Sequence, residues 1–345
     1  MRLCAELCSN CTLGVVPTGW AKTPFEGSDK LPWGRRSGTL LLKVRTALDW
    51  ITGEIIARIN RREFLQKSAL GIAAVATRMP SRLFADPLGK PIGLELYTLR
   101  DQLTKDLLGT MKLVAGIGYK EVELYDLYGK TPVEFATILK DNGLAAPSGH
   151  YMTKHLKSNW EKHTEDAKTI GLEYMVNAIL DPEERKTFDD YKRLAELFNK
   201  AGEQTQKAGI QYCCHNHNFE FKKYGDTTAY DYIPKALDPK LVNFEMDCFW
   251  VTHAGQDPVA YFEKHPGRFP LLHIKDMKDE PAPTQEFDAK LGLFAPVGHG
   301  TIDWKRIFAA ATTGGMKHFF VEQDYCEQPP LEAAKMSYEY LHGLT

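Results

Sequence analysis

The chain has 345 residues, is 43% hydrophobic and 26% charged, and carries a formal net charge of −2. That balance suits a globular enzyme and argues against the basic surface of a nucleic-acid binder. No run reaches the ~18 uncharged apolar residues of a spanning helix, so no stable membrane association is expected, and seven cysteines are few for a disulfide scaffold of this length.

Residues 1–59 show no clear periodicity and scattered Gly and Pro, and read as a doubtful N-terminal extension, expected to be disordered. Cys4, Cys8 and Cys11 have the spacing of a radical S-adenosylmethionine cluster motif, but they follow no barrel strand, and the motif is set aside. Asn60-Arg61-Arg62-Glu63-Phe64-Leu65 precedes a mild apolar run over 68–77 and resembles a twin-arginine export signal. Residues 60–85 are therefore read as a signal segment, with cleavage after Ala85 and a periplasmic protein, or a cytoplasmic one if Met1 is the true start.

From Pro91 onward short apolar runs alternate with helical patterns. Strands are expected at 92–97, 121–124, 145–150, 174–177, 210–214, 242–246, 269–274 and 318–321. Helices are expected at 103–117, 131–142, 158–170, 188–208, 228–237, 258–264 and 332–342. Gly118, Gly143, Gly171 and Gly209 follow helices and supply the turn back into the sheet. Eight such units predict a (β/α)8 barrel over residues 86–345. A doubly wound open sheet is the rival, but no Gly-rich phosphate loop follows the first strand, where Tyr97-Thr98-Leu99-Arg100 stands. Residues 276–300 carry Pro281, Pro283 and Pro296 and predict a loop over the barrel mouth.

In such a barrel the C-terminal strand ends converge on one mouth, where active sites form. His215-Asn216-His217, Asp247, His273 and Glu322 fall at those ends. Imidazoles and carboxylates gathered there are what a divalent metal needs. Lys275 lies on the same strand face as His273, and a carboxylate at Glu322 would be costly to bury unpaired. His215 is the expected fourth ligand beside Asp247, His273 and Glu322, although His215 and His217 could exchange roles and Glu220 could orient a His or itself be the fourth ligand. His150, Glu123, Tyr97 and Trp250 are expected in a substrate pocket, and His253 and His299 stay weak candidates.

The stretches 93–100, 118–124 and 212–221 resemble the xylose isomerase-like superfamily of sugar isomerases and epimerases. So do Asp247 with His253-Ala254-Gly255, His273-Ile274-Lys275-Asp276, 298–304 and Val321-Glu322-Gln323-Asp324. The part from the sixth strand to Asp324 is most similar to the inosose dehydratase branch. The resemblance implies a divalent metal, manganese first with magnesium, zinc or cobalt as alternatives, held by residues of strands five to eight. It carries over to Asp247, His273 and Glu322, but His215 stands where the epimerases have a Glu. Two-glutamate epimerisation is thereby put in doubt, and elimination gains.

The implied reaction is proton abstraction next to the carbonyl of a keto-sugar, keto-inositol or 3-keto-glycoside, through a metal-stabilised enediolate. His217 or Glu322 would take the proton and Lys275 would stabilise the oxyanion. The expected class is a sugar isomerase or epimerase, with a dehydratase or lyase as the alternative. An abasic-site endonuclease and a non-catalytic sugar-binding barrel stand further off. A small sugar is the expected partner, with room for a homodimer and for a sugar oxidoreductase acting alongside.

Overall fold

The computed structural model describes residues 89–344 apart from 280 and 291. The expectations for residues 1–59 and 60–85 lie outside the described residues. Eight parallel strands close a barrel: β1 (Gly93–Glu95), β2 (Glu121–Leu124), β3 (Ala145–Tyr151), β4 (Tyr174–Asn177), β5 (Gln211–His215), β6 (Val242–Asp247), β7 (Leu271–Ile274) and β8 (His318–Val321). The order around the barrel is β1-β8-β7-β6-β5-β4-β3-β2, so β5 lies across from β1. The expected (β/α)8 architecture is the one observed.

Two of the crossover helices start on reciprocal side-chain caps. Thr131 and Glu134 form a reciprocal capping box at the start of Pro132–Asp141, and Thr187 and Asp190 do the same for Phe188–Lys207. The latter helix buries Tyr191, Leu194 and Phe198 on one face, against the barrel. Removing the Phe198 ring would cost about 3–5 kcal/mol. Two helical expectations need correcting. The first helix breaks at Asp106 into Arg100–Lys105 and Leu107–Ile117, because the Asp106 side chain caps the second piece by accepting from Gly109 N–H. A short helix, Cys248–His253, also follows β6 directly, capped by Asp247.

The barrel interior is layered. Val176, Cys213, Leu271 and Phe320 form an apolar layer. Above it, inward residues of five strands form a charged layer in place of the usual branched aliphatics: Glu95, Glu123, His150, Glu245 and His273. The mouth carries His215, Asp247, Lys275 and Glu322.

The long loop after β7 is pinned from below. Asp276 accepts hydrogen bonds from Gly298 N–H (2.8 Å), Gly300 N–H (3.1 Å), Ile302 N–H (3.1 Å) and the Trp304 indole (2.9 Å). This accounts for the Gly298–Trp304 motif. Gly298 has φ +84°, and a Cβ there would stand 2.1 Å from the Tyr340 ring, so only glycine fits. Asp276–Met277 pairs with Phe294–Ala295, and residues 278–293 lie between them as the loop that carries Phe287 and Asp288.

Candidate active site

The mouth is built by alternation along the strands. Glu245 and Asp247 share one face of β6, and His273 and Lys275 lie on one face of β7 and its extension. Asn216 sets the spacing between β5 and β6: its Oδ1 accepts from Asp247 N–H (3.0 Å) and its Nδ2 donates to Asp247 O (3.3 Å). The middle residue of the His-Asn-His run thus stitches the two strand ends together. The sequence reading assigned it no role.

His215, Asp247, His273 and Glu322 bring one donor atom each within 4.8 Å of one another, all buried. His215 Nε2 is 3.3 Å from Asp247 Oδ2, and His273 Nδ1 is 2.7 Å from Glu322 Oε2 and 3.9 Å from Asp247 Oδ2. These spacings bracket the ~3.4 Å edge expected for tetrahedral ligands at ~2.1 Å from an ion. All four atoms are buried, and the Lys275 ammonium faces two of them, Glu322 Oε2 at 2.8 Å and Asp247 Oδ2 at 3.1 Å. Carboxylate and imidazole atoms are costly to bury, and four converging on one point fit a divalent cation.

The layer beneath orients this set. His273 Nε2 meets Glu123 Oε2 at 2.5 Å, which leaves Nδ1 facing the mouth. Ser148 donates to the other oxygen of Glu123, and Glu245 lies 3.2 Å from His273 Nε2 and 2.8 Å from His150 Nε2. Burial pushes the Glu123 carboxyl up, but His150 and His273 outweigh it and hold it below the usual carboxylate range. Burial and the neighbouring Glu123 raise Glu245 to about 7. Burial opposes charge on His273, yet Glu245, Glu322 and Glu123 push its pKa well above the usual imidazole range, so a cation at Nδ1 would compete with a proton.

Lys275 sits beside the donor set, 2.8 Å from Glu322 Oε2, 2.9 Å from Asp324 Oδ1 and 3.1 Å from Asp247 Oδ2. Burial works against its charge, but Asp247, Asp324 and Glu322 keep the ammonium protonated well above its ordinary range. Burial would raise Glu322, and Lys275 and His273 overcome it and hold this carboxyl well below its usual range. His217 is different. Its ring stacks parallel to Phe219 at 5.2 Å and packs against Trp250 at 5.4 Å. Burial, then His215 and Lys275, keep it neutral. Its Nδ1 has no partner.

A cavity of about 350 Å³ opens above, and Tyr97, His150, His215, His217, Lys275 and Glu322 line parts of it. Two expected pocket residues do not. Glu123 is fully buried beneath His273, because its carboxylate is the partner of that ring. Trp250 is also fully buried, because it supports the His217 and Phe287 rings. Glu220 is not among the converging donors: it accepts from His217 N–H at 2.9 Å, and burial raises it to about 8. His253 bonds Asp288 of the long loop, and His299 is exposed. Glu95, Glu245 and Asp324 received no assigned role from the sequence. Glu245 was findable, two residues before Asp247 on the same strand face.

The family model for xylose isomerase-like TIM barrels matches residues 111–342. The chain belongs to this family. It is similar to the inosose dehydratase of Lacticaseibacillus casei, with 24% identity over 254 residues covering 65% of this chain and 85% of the relative. A solved sugar phosphate isomerase/epimerase from Parabacteroides distasonis shares 28% identity and a TM-score of 0.62, covering 74% of this chain and 94% of that one. The zinc-bound IOLI protein superposes with a TM-score of 0.57 at 16% identity, covering 72% and 95%, a likeness of fold. This xylose isomerase-like barrel is a sugar-modifying enzyme of the isomerase or lyase kind.

Proposed function

We propose that the protein is a divalent-metal-dependent carbon–oxygen lyase that removes the proton α to the carbonyl of a keto-sugar, keto-inositol or keto-glycoside and expels a β-oxygen. The observation that carries this reading is the convergence of four buried donor atoms from His215, Asp247, His273 and Glu322 at the barrel mouth. A bound divalent ion would polarise the substrate carbonyl and lower the barrier to enolisation by several kcal/mol. Zinc in the IOLI protein and the mixed imidazole–carboxylate donor set leave manganese, zinc, magnesium and cobalt as candidates.

The chain's own residues supply the proton handling. His217, neutral and lining the cavity, is the base, and it is better placed than Glu322, which is tied to Lys275 and His273. Such a base contributes roughly 10²–10⁴-fold. Lys275 stays cationic and holds the developing oxyanion. Elimination is favoured over two-base epimerisation because the fifth strand ends in His215, and no carboxylate opposes Glu322 from that strand. The inosose dehydratase relatives support the same choice.

The test is incubation of the protein, loaded in turn with Mn²⁺, Zn²⁺ or Mg²⁺, with keto-sugars and 3-keto-glycosides in D2O, followed by mass spectrometry. Loss of water or alcohol that depends on metal and on His217 supports a lyase. Deuterium uptake without elimination points to an isomerase instead, and no exchange on any substrate removes the proposal.

A further inference from the structure

The cavity mouth carries aromatic side chains that the chemistry above does not use. Six large hydrophobic residues are exposed among the described residues, and three of them, Tyr125 (45%), Phe287 (42%) and Tyr325 (42%), border this one cavity. Tyr125 meets Tyr97 edge-on at 4.8 Å, and the Arg100 guanidinium lies 4.1 Å from the Tyr97 ring and 5.8 Å from that of Tyr325. This wall stands over the ends of β1, β2 and β8. Phe287, from the loop after β7, lines the same cavity and packs on His217 beyond the end of β5 at 5.3 Å. Aromatic rings from both groups thus line the one cavity above the reaction site, and Tyr125, Phe287 and Tyr325 each leave ring surface open to solvent. Exposed aromatic surface is costly to leave bare and suits the apolar face of a ring.

The charge lining the cavity is equally specific. Lys275 is the one lysine or arginine among the described lining residues, and three carboxylates already surround its ammonium. Arg100 donates to the carbonyl oxygens of Tyr97 (2.8 Å) and Asp324 (2.9 Å). Glu322 and Asp324 face the same space. No free cationic fork is offered to a phosphate dianion, which would meet carboxylates instead.

We infer that the rim is a binding subsite for a second, uncharged ring, so that the substrate is a neutral keto-glycoside whose leaving group is held against these aromatic rings. The inference rests on the lyase reading and extends the leaving group from water to an alcohol bearing a ring. For a 3-keto-glycoside the step balances without a redox partner. The C2–H bond breaks to the base, its electron pair forms a C1=C2 double bond through the enediolate, the C1–O bond breaks, and the departing oxygen takes up a proton.

The experiment measures binding to the full-length protein by titration calorimetry or saturation-transfer NMR, with methyl glucoside, phenyl glucoside (both anomers of each) and glucose 6-phosphate. Phenyl glucoside is expected to bind roughly two- to tenfold more tightly than methyl glucoside, the range typical of one aromatic contact, and glucose 6-phosphate more weakly than both. Tyr325→Ala and Phe287→Ala should each shrink the phenyl-to-methyl ratio toward one; as a ratio it does not depend on the folded fraction. Equal affinities for the two glucosides, a ratio untouched by both variants, or preference for the phosphate overturns the subsite. A rim-dependent ratio with no deuterium exchange on any keto-glycoside upholds the subsite and overturns the lyase reading alone.

Discussion

Asp247→Asn separates the role of this residue as a donor from its role in the fold. One oxygen, Oδ1, caps the helix after β6 by accepting from Trp250 N–H at 2.9 Å, and the asparagine carbonyl can keep that bond. The other, Oδ2, is buried, faces the Lys275 ammonium at 3.1 Å and belongs to the donor cluster, and becomes an NH2 group with no lone pair to offer. Lys275 keeps Glu322 and Asp324, so it is not left as an orphaned buried charge, whose cost would be about 3–5 kcal/mol. The metal-free variant should therefore stay within about 1–2 kcal/mol of the parent. Metal at a hundredfold excess over Kd stabilises the parent by about 2.7 kcal/mol, which raises Tm by roughly 5–10 °C in a barrel of this size. Loss of one of four ligands, weakening the site by ~100-fold, cuts the gain at the same metal concentration to about 0.4 kcal/mol, or under ~2 °C. Differential scanning fluorimetry with and without Mn²⁺ or Zn²⁺ reads both numbers. An equal upward shift in parent and variant would refute the donor role of Asp247.

Three further outcomes follow from named contacts. Glu123→Gln removes the charge behind His273 Nε2 and should weaken metal binding about 10–100-fold while leaving the cavity intact, as read by competition with a chromophoric chelator. Lys275→Gln should lower kcat by about 10²–10³-fold with KM changed little and metal still bound; a drop confined to KM would show that Lys275 serves only binding. Glu220→Gln bears on stability against pH. The folded pKa of about 8 lies above the ordinary value of 4.5, so the protonated group's contribution is fully present below about pH 4.5 and is lost as pH rises through 8. Denaturant melts between pH 5 and 8.5 should show the parent losing stability relative to this variant, and parallel curves would contradict the buried, protonated Glu220.

The barrel was legible because its signals are local. Apolar runs such as Phe319-Phe320-Val321, and glycines closing the helices, act within a few residues of each other. The candidate ligands were legible for a related reason, since polar residues ending apolar strands have few places to go. What escaped the sequence is set by pairing across strands. Glu123 reads as one more strand-end carboxylate until the fold puts it under His273, 150 positions away. Trp250 reads as a stacking surface until the short helix after β6 turns it inward against His217. Asn216 looks like a spacer between two histidines, and its stitching of β5 to β6 depends on which strands are neighbours. Asp324 and the aromatic rim gather residues from loops after three different strands, which periodicity does not register.

The most direct test of the central claim is anomalous X-ray diffraction from crystals grown with Mn²⁺ or Zn²⁺, collected at the metal edge. The expected result is one strong peak among His215 Nε2, Asp247 Oδ2, His273 Nδ1 and Glu322 Oε2, much weakened in Asp247→Asn crystals grown at the same metal concentration. A map with no peak there, with the Lys275 ammonium alone neutralising the carboxylates, would contradict it.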